Sequence, residues 1–224
     1  MKRTPLPRVK ICCIASEEEA SLAIECGADA MGLVSAMPSG PGVIEENQIA
    51  HIAATIPPSI GSFLLTCKQN VQDIILQHQR CRTNCIQLCD RLALGTYQDL
   101  FAALPGISII QVIHIGGPES VEEALTIAPP VSAILLDSGN QSLKVKELGG
   151  TGRTHNWNLS RQIREQVDVP VFLAGGLTPD NVRQAIESVG PFGIDLCSGV
   201  RTEGKLDREK LLRFFDAVHS PAAD

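Results

Sequence analysis

The stretch from Val169 to Gly199, VPVFLAGGLTPDNVRQAIESVGPFGIDLCSG, decides the fold. It opens on a short apolar run, Val169 to Ala174, closed by the turn residues Gly175-Gly176. Thr178-Pro179 then starts a helical segment that continues to Val189. Gly193 to Ser198 is a second apolar run, and Asp207 to His219 a second helix. Neither run alternates apolar with polar residues, which is the pattern of parallel strands covered on both faces.

The same alternation extends back to the start of the chain. Val9 to Ile14, Ala30 to Ser35, Ser62 to Thr66, Cys85 to Cys89, Ser108 to Ile115 and Ala133 to Ser138 are further apolar runs. Helical segments follow them. Ser16 caps the first, with Glu17 to Glu19 on the positive end of its dipole as a solvated start and Gly27 at its end. The others are Glu45 to Ala54, Val71 to Gln79, Thr96 to Ala103, Glu119 to Ala128 and Asn156 to Gln166. That makes about eight strand–helix units, the count of a (β/α)8 TIM barrel. The competing architecture is an open doubly wound sheet. Closure is favoured, because a closed sheet leaves no edge strand to protect. No linker or shift of composition divides the chain, so one domain over residues 1–224 is expected.

Composition narrows the function. The 224 residues are 44% hydrophobic and 20% charged, a globular balance, and aromatics are only 4%, so the core is aliphatic. The net charge of −6, with no basic run, argues against nucleic acid or an anionic membrane as partner. No segment has the ~20 apolar residues of a membrane helix. The run after the basic start is too short for a signal peptide, which points to the cytoplasm. Of eight cysteines, Cys81, Cys85 and Cys89 are spaced four apart, without the paired spacing of a zinc site. No metal is expected, and most thiols read as small core residues.

A barrel carries its active site at the C-terminal ends of the strands. The residues there are Cys12, Ser35, Thr66, Cys89, His114, Asp137, Gly175-Gly176 and Ser198. Three glycine-bearing segments follow the last strands: Gly149-Gly150-Thr151-Gly152, Gly175-Gly176 and Ser198-Gly199. Glycines let backbone N–H groups approach an anion closely, so the three together predict a phosphate cradle. Cys12 and Asp137 could work as base and acid on one substrate. By spacing alone they read equally as a core thiol and a loop cap. His114 reads as a satisfied core histidine, His155 as loop structure, and His51, His78 and His219 as helix residues.

Several motifs, taken in order, are shared with a known family. Val9-Lys10-Ile11-Cys12, Gly27-Ala28-Asp29-Ala30, Leu135-Leu136-Asp137-Ser138, Gly149-Gly150-Thr151-Gly152, Ala174-Gly175-Gly176-Leu177 and Asp195-Leu196-Cys197-Ser198-Gly199-Val200 together resemble phosphoribosylanthranilate isomerases of tryptophan biosynthesis. Trp157 and Asn181-Val182 fit the same pattern. The resemblance implies an Amadori rearrangement of an N-(5-phosphoribosyl) arylamine, an aldose-to-ketose isomerisation without metal or organic cofactor. It implies Cys12 as general base and Asp137 as general acid. It implies Gly149, Gly150, Thr151, Gly152, Gly175, Gly176, Ser198 and Gly199 around a phosphorylated small-molecule substrate, with Asp195 a polar site position and Arg153 close by.

Three departures stand out, one of them Gln87-Leu88-Cys89-Asp90 where strand four of the family commonly ends Gln-Leu-His-Gly. Cys13 replaces the glycine that follows the family's catalytic cysteine. Gly42, within Pro38-Ser39-Gly40-Pro41-Gly42-Val43, stands where the family has an arginine for the substrate carboxylate. Losing such a contact costs on the order of 2–4 kcal/mol unless another cation, Arg153 or Arg201, replaces it. A divergent isomerase, or a binding protein for another phosphosugar, is therefore the alternative reading. The oligomeric state is not legible.

Overall fold

The computed structural model describes residues 6–220; the outermost residues of the expected 1–224 domain lie outside the described ones. Eight strands alternate with eight helices. They are β1 (Arg8–Ile11), α1 (Glu17–Glu25), β2 (Ala30–Val34), α2 (Glu46–Thr55), β3 (Gly61–Thr66), α3 (Val71–Cys81), β4 (Cys85–Leu88) and α4 (Tyr97–Ala103). There follow β5 (Ser108–His114), α5 (Glu119–Ile127), β6 (Ala133–Asp137), α6 (Trp157–Gln166), β7 (Val171–Leu173), α7 (Val182–Val189), β8 (Gly193–Leu196) and α8 (Arg208–His219). The strands pair in parallel in chain order, and β8 returns to β1, so the sheet is a closed barrel. The TIM barrel is the architecture, and the open sheet is excluded. No described helix is long and apolar enough to cross a membrane.

Local chemistry sets the helix ends. The Ser16 hydroxyl accepts from the Glu19 N–H, and Thr96 and Asp99 form a reciprocal capping box. α7 ends on Gly190 in the left-handed conformation. That helix starts later than the sequence suggests, at Val182 and not at Thr178. Asn181 is the reason: its side chain accepts from the Thr178 N–H and donates to the Gly176 carbonyl, so residues 178–181 are held as a turn. β8 likewise stops at Leu196, and Ser198–Val200 is a short 3-10 turn.

Apolar burial is layered. One layer lies between sheet and helices, with Ile11, Leu33, Leu64, Ile134, Ile194 and Phe214 fully or almost fully buried. A second fills the barrel, where Phe63 and Phe172 meet edge to face at 6.1 Å. Among these apolar side chains sits a charged one. Lys10 of β1 is 0% exposed, and its Nζ is 2.9 Å from Asp195 Oδ2 of β8. The two are register partners across the seam where the barrel closes. Nζ also lies 5.3 Å from the centre of the Phe63 ring. Burial works against the Lys10 charge, but the Asp195 carboxylate overrides it and holds the ammonium above its ordinary value. Burial likewise lifts the Asp195 carboxyl, with Lys10 opposing. The 2.9 Å contact makes the ionised pair the resting state.

Lys10→Met strands a buried carboxylate and is expected to cost about 3–5 kcal/mol, measured by urea unfolding. The double change Lys10→Met with Asp195→Leu removes both charges and is expected to recover most of that loss.

Candidate active site

The strand ends surround one cavity of about 700 Å³, counting its open side. Cys12, one residue past β1, and Asp137, the last residue of β6, both line it. So do Gly149, Gly150, Thr151, Gly152, Gly175, Gly176, Asp195 and Ser198. Arg153 and Gly199, expected alongside them, do not.

Each absence has a cause. The Arg153 guanidinium is bound to Glu147 and faces outward. A Cβ on Gly199 would come within 2.1 Å of the Leu177 carbonyl oxygen, so this glycine serves close packing of two loops. Arg201 is also committed. It pairs with Glu19 at 2.8 Å and donates to the Cys13 carbonyl at 2.6 Å and the Cys12 carbonyl at 3.3 Å. Neither arginine is left to replace the one absent at Gly42.

Asp137 is held by its own loop. Its Oδ1 accepts from the Ser138 N–H at 2.7 Å, while Oδ2 lies over Gly149, where a Cβ would be 2.8 Å away. The Ser138 and Thr151 hydroxyls are 2.6 Å apart and tie the loop after β6 to that strand. A Cβ on Gly176 would meet the backbone of Arg153, Thr154 and Gly152 at 2.7–2.9 Å. Gly176 (φ 60) thus lets the loops after β6 and β7 close on each other, and the 3-10 turn after β8 completes the rim. Exposed backbone amides at such a rim suit an anion.

Four further findings correct or extend the sequence reading. Glu19 is not a solvated helix start: it pairs with Arg201 and accepts from the Ala15 and Leu206 N–H groups. His114 is only half satisfied; its Nε2 meets the Cys89 carbonyl at 3.0 Å and its Nδ1 has no partner. Asp195, whose role the sequence left open, is the partner of Lys10, and its Oδ1 is buried without a bond. Lys10 itself was missed; the signal was a lysine inside the apolar run Val9 to Ile14.

Cys13 and Gly42, the positions where the resemblance implies departures, lie against each other. Cys13 has a left-handed backbone (φ 63), the conformation a glycine takes most easily. A Cβ on Gly42 would lie 2.4 Å from the Cys13 Cβ. The side chain gained at 13 therefore occupies the space of one lost at 42.

The geometry matches what comparison with known proteins finds. The family model described as PRAI, N-(5'phosphoribosyl)anthranilate (PRA) isomerase, matches residues 9–217. The chain belongs to the phosphoribosylanthranilate isomerase family. An isomerase of Methanocella arvoryzae is 33% identical over 94% of this chain and 96% of its own length. Isomerase 2 of Methanosarcina mazei is 35% identical over 92% of each chain. Among solved structures, the Thermotoga maritima isomerase superposes with a TM-score of 0.79 at 29% identity, covering 95% of this chain and 98% of that one. A phosphoribosylanthranilate isomerase in complex with reduced 1-(o-carboxyphenylamino)-1-deoxyribulose 5-phosphate superposes with a TM-score of 0.77 at 27% identity, over 95% of this chain and 98% of that one.

His155, behind the loop after β6, is no catalytic base. Its Nε2 is 2.7 Å from the Ser160 hydroxyl, and burial pushes it down to about 4. A depressed histidine stabilises the fold fully above its unfolded value near 6.5, and the contribution is lost as pH falls toward 4. In His155→Gln, the fall of Tm between those pH values is expected to shrink by the equivalent of about 2–3 kcal/mol, read by thermal unfolding across pH.

Proposed function

We infer that this chain converts N-(5′-phosphoribosyl)anthranilate into its 1-deoxyribulose 5-phosphate isomer, the aldose-to-ketose step of tryptophan biosynthesis. One observation carries the reading: Cys12 and Asp137, at the ends of strands β1 and β6, line one cavity together with three glycine-bearing loops. The phosphate of the sugar sits among the amides of Gly149 to Gly152, Gly175-Gly176 and Ser198. This anchors the pentose between acid and base.

Asp137 protonates the furanose ring oxygen, the C1′–O bond breaks, and the anilino nitrogen becomes an iminium. The Cys12 thiolate then removes the C2′ proton. The electron pair forms the C1′=C2′ bond of an enolamine, which tautomerises to the ketone. Atoms balance, since the product is an isomer. Lys10 lies one turn of the strand beneath this wall, paired with Asp195. An acidic chain whose eight cysteines are all free fits a reducing cytoplasm.

With substrate generated in situ, Cys12→Ser and Asp137→Asn are each expected to lower kcat by about 10²–10⁴-fold. Tm should stay within about 2 °C of the parent. Full turnover by either variant removes that residue from the mechanism.

A second reading concerns the aglycone alone. No lysine or arginine lines the cavity among the described residues, and Gly42 offers none. The anthranilate carboxylate is then held without an ion pair. Phosphoribosyl derivatives of anthranilate and of aniline should differ in kcat/KM by less than about tenfold, against the roughly 30- to 1,000-fold worth of a charge-assisted contact. A large preference for anthranilate rules this reading out.

A further inference from the structure

The chain leaves β6 as a short hairpin before it reaches the rim glycines. Asn140 and Glu147 close that hairpin with two backbone hydrogen bonds, at 2.8 and 2.9 Å. Both of its arms are held by one residue of another loop, Asp90, two positions past β4. Asp90 Oδ2 accepts from Lys146 Nζ at 2.6 Å. Its Oδ1 accepts from Gln141 Nε2 at 3.2 Å and from the Arg91 N–H at 2.9 Å. The link spans β5, which lies between β4 and β6. The root of the hairpin rests on the end of β5: a Cβ on Gly139 would be 2.3 Å from His114 Nδ1 and 2.4 Å from the Glu147 carbonyl oxygen.

The held hairpin delivers the rim. Leu148 to Gly152, which follow it directly, all line the cavity. Glu147 pairs with Arg153, so this segment is closed at its base by an ion pair. The Lys146 carbonyl accepts from the Ser39 hydroxyl at 2.7 Å, and a Cβ on Gly150 would be 2.5 Å from Pro41 Cδ. Lys146 thus joins the loops after β2, β4 and β6. The Asp90 side chain is 7% exposed and that of Lys146 38%. A carboxylate so shielded is little screened by salt, unlike an ion pair in open solvent. The hold belongs to this chain: Asp90 stands where the resembled family commonly has a glycine, which has no side chain to reach the hairpin.

We propose that Asp90 is a positioning residue for phosphosugar binding. Acting through Lys146, it holds the amides of Gly149 to Gly152 in their binding arrangement before the ligand arrives. The inference rests on the reading that these amides take the phosphate. Its effect follows from populations. A ligand that needs one loop arrangement binds with its intrinsic Kd divided by the fraction of molecules already in that arrangement. With the hold in place, most molecules have it. Without the hold, the free loop samples others, and binding must supply the ordering. The bound complex is the same in both cases. Affinity therefore falls, while the chemical step, carried by Cys12 and Asp137 in the bound complex, keeps its rate.

The test compares the parent with Asp90→Asn, Lys146→Gln and the double variant. Ribose 5-phosphate binding is read by titration calorimetry, and turnover of phosphoribosylanthranilate by steady-state kinetics. Hydrogen exchange over residues 138–152 is read by mass spectrometry without ligand. Each single variant should raise Kd and KM about tenfold, as for a loop in place in roughly one molecule in ten, with kcat within about twofold. Exchange over residues 138–152 should quicken, with that of the barrel strands unchanged. The double variant should match the singles at about tenfold, not about a hundredfold, because one contact is lost only once. Lys146 is half-exposed, so Lys146→Gln breaks the contact at its outer end and leaves the core intact. Arg161→Gln, which removes a remote ion pair with Glu165, should behave as the parent. The proposal is overturned by Kd values within about twofold of the parent, or by a fall in kcat at constant KM. Factors that multiply in the double variant, unchanged exchange, or a parent that binds no ribose 5-phosphate also overturn it. Weakened ribose 5-phosphate binding in variants of a protein that does not isomerise phosphoribosylanthranilate upholds the hold and rejects only that substrate.

Discussion

The seam between β1 and β8 is the constraint on which the rest depends. It joins the first strand to the last, so every intervening unit must turn the same way before it can form. Lys10 and Asp195 make that seam specific. A slip of one residue would set each charge against an aliphatic partner and leave two unpaired ions in the barrel. Buried charges are a weak source of stability but a strong penalty against wrong pairings. The correct register also sets Cys12 directly above Lys10's neighbour Ile11, and Cys197 beside it. Cys12, Lys10 and Cys197 are thus placed by one event of closure.

The opposite wall is built by a different device. Asp137 ends β6, and its position is maintained by the loop that follows it, through Ser138, Thr151 and the glycines that allow the loops to nest. In the proposed mechanism both chemical steps are proton transfers, which a carboxylic acid at a strand end and a thiol across the cavity can carry out. In the proposed binding mode the substrate's phosphate meets the backbone amides of this rim.

Between these walls, Cys13 and Gly42 have exchanged bulk. The loop from Pro38 to Val43 approaches Cys13 as closely as it does because position 42 carries no Cβ. The arrangement leaves no lysine or arginine among the described residues that line the cavity and sets a sulfur next to Cys12. Both effects come from one steric accommodation. Arg201 could not have compensated: it is held under the same wall by Glu19 and the Cys12 and Cys13 carbonyls.

The strand–helix count, the continuous apolar strands and the glycine triplets were legible in the chain itself, because short-range patterns encode local structure and parallel strands bury both faces. The same is true of Cys12, Asp137 and the rim glycines, since a barrel presents strand ends on one side. What only the folded chain decided was which of those residues meet. Gly199 and Arg153 belong to the same sequence motifs as their neighbours but turn to packing and to Glu147. Thr178 has a helix-start sequence, yet the Asn181 side chain withholds it from α7. The Lys10–Asp195 pair and the Cys13–Gly42 exchange join residues distant in sequence, and no local pattern records a contact that exists only once the cylinder has closed.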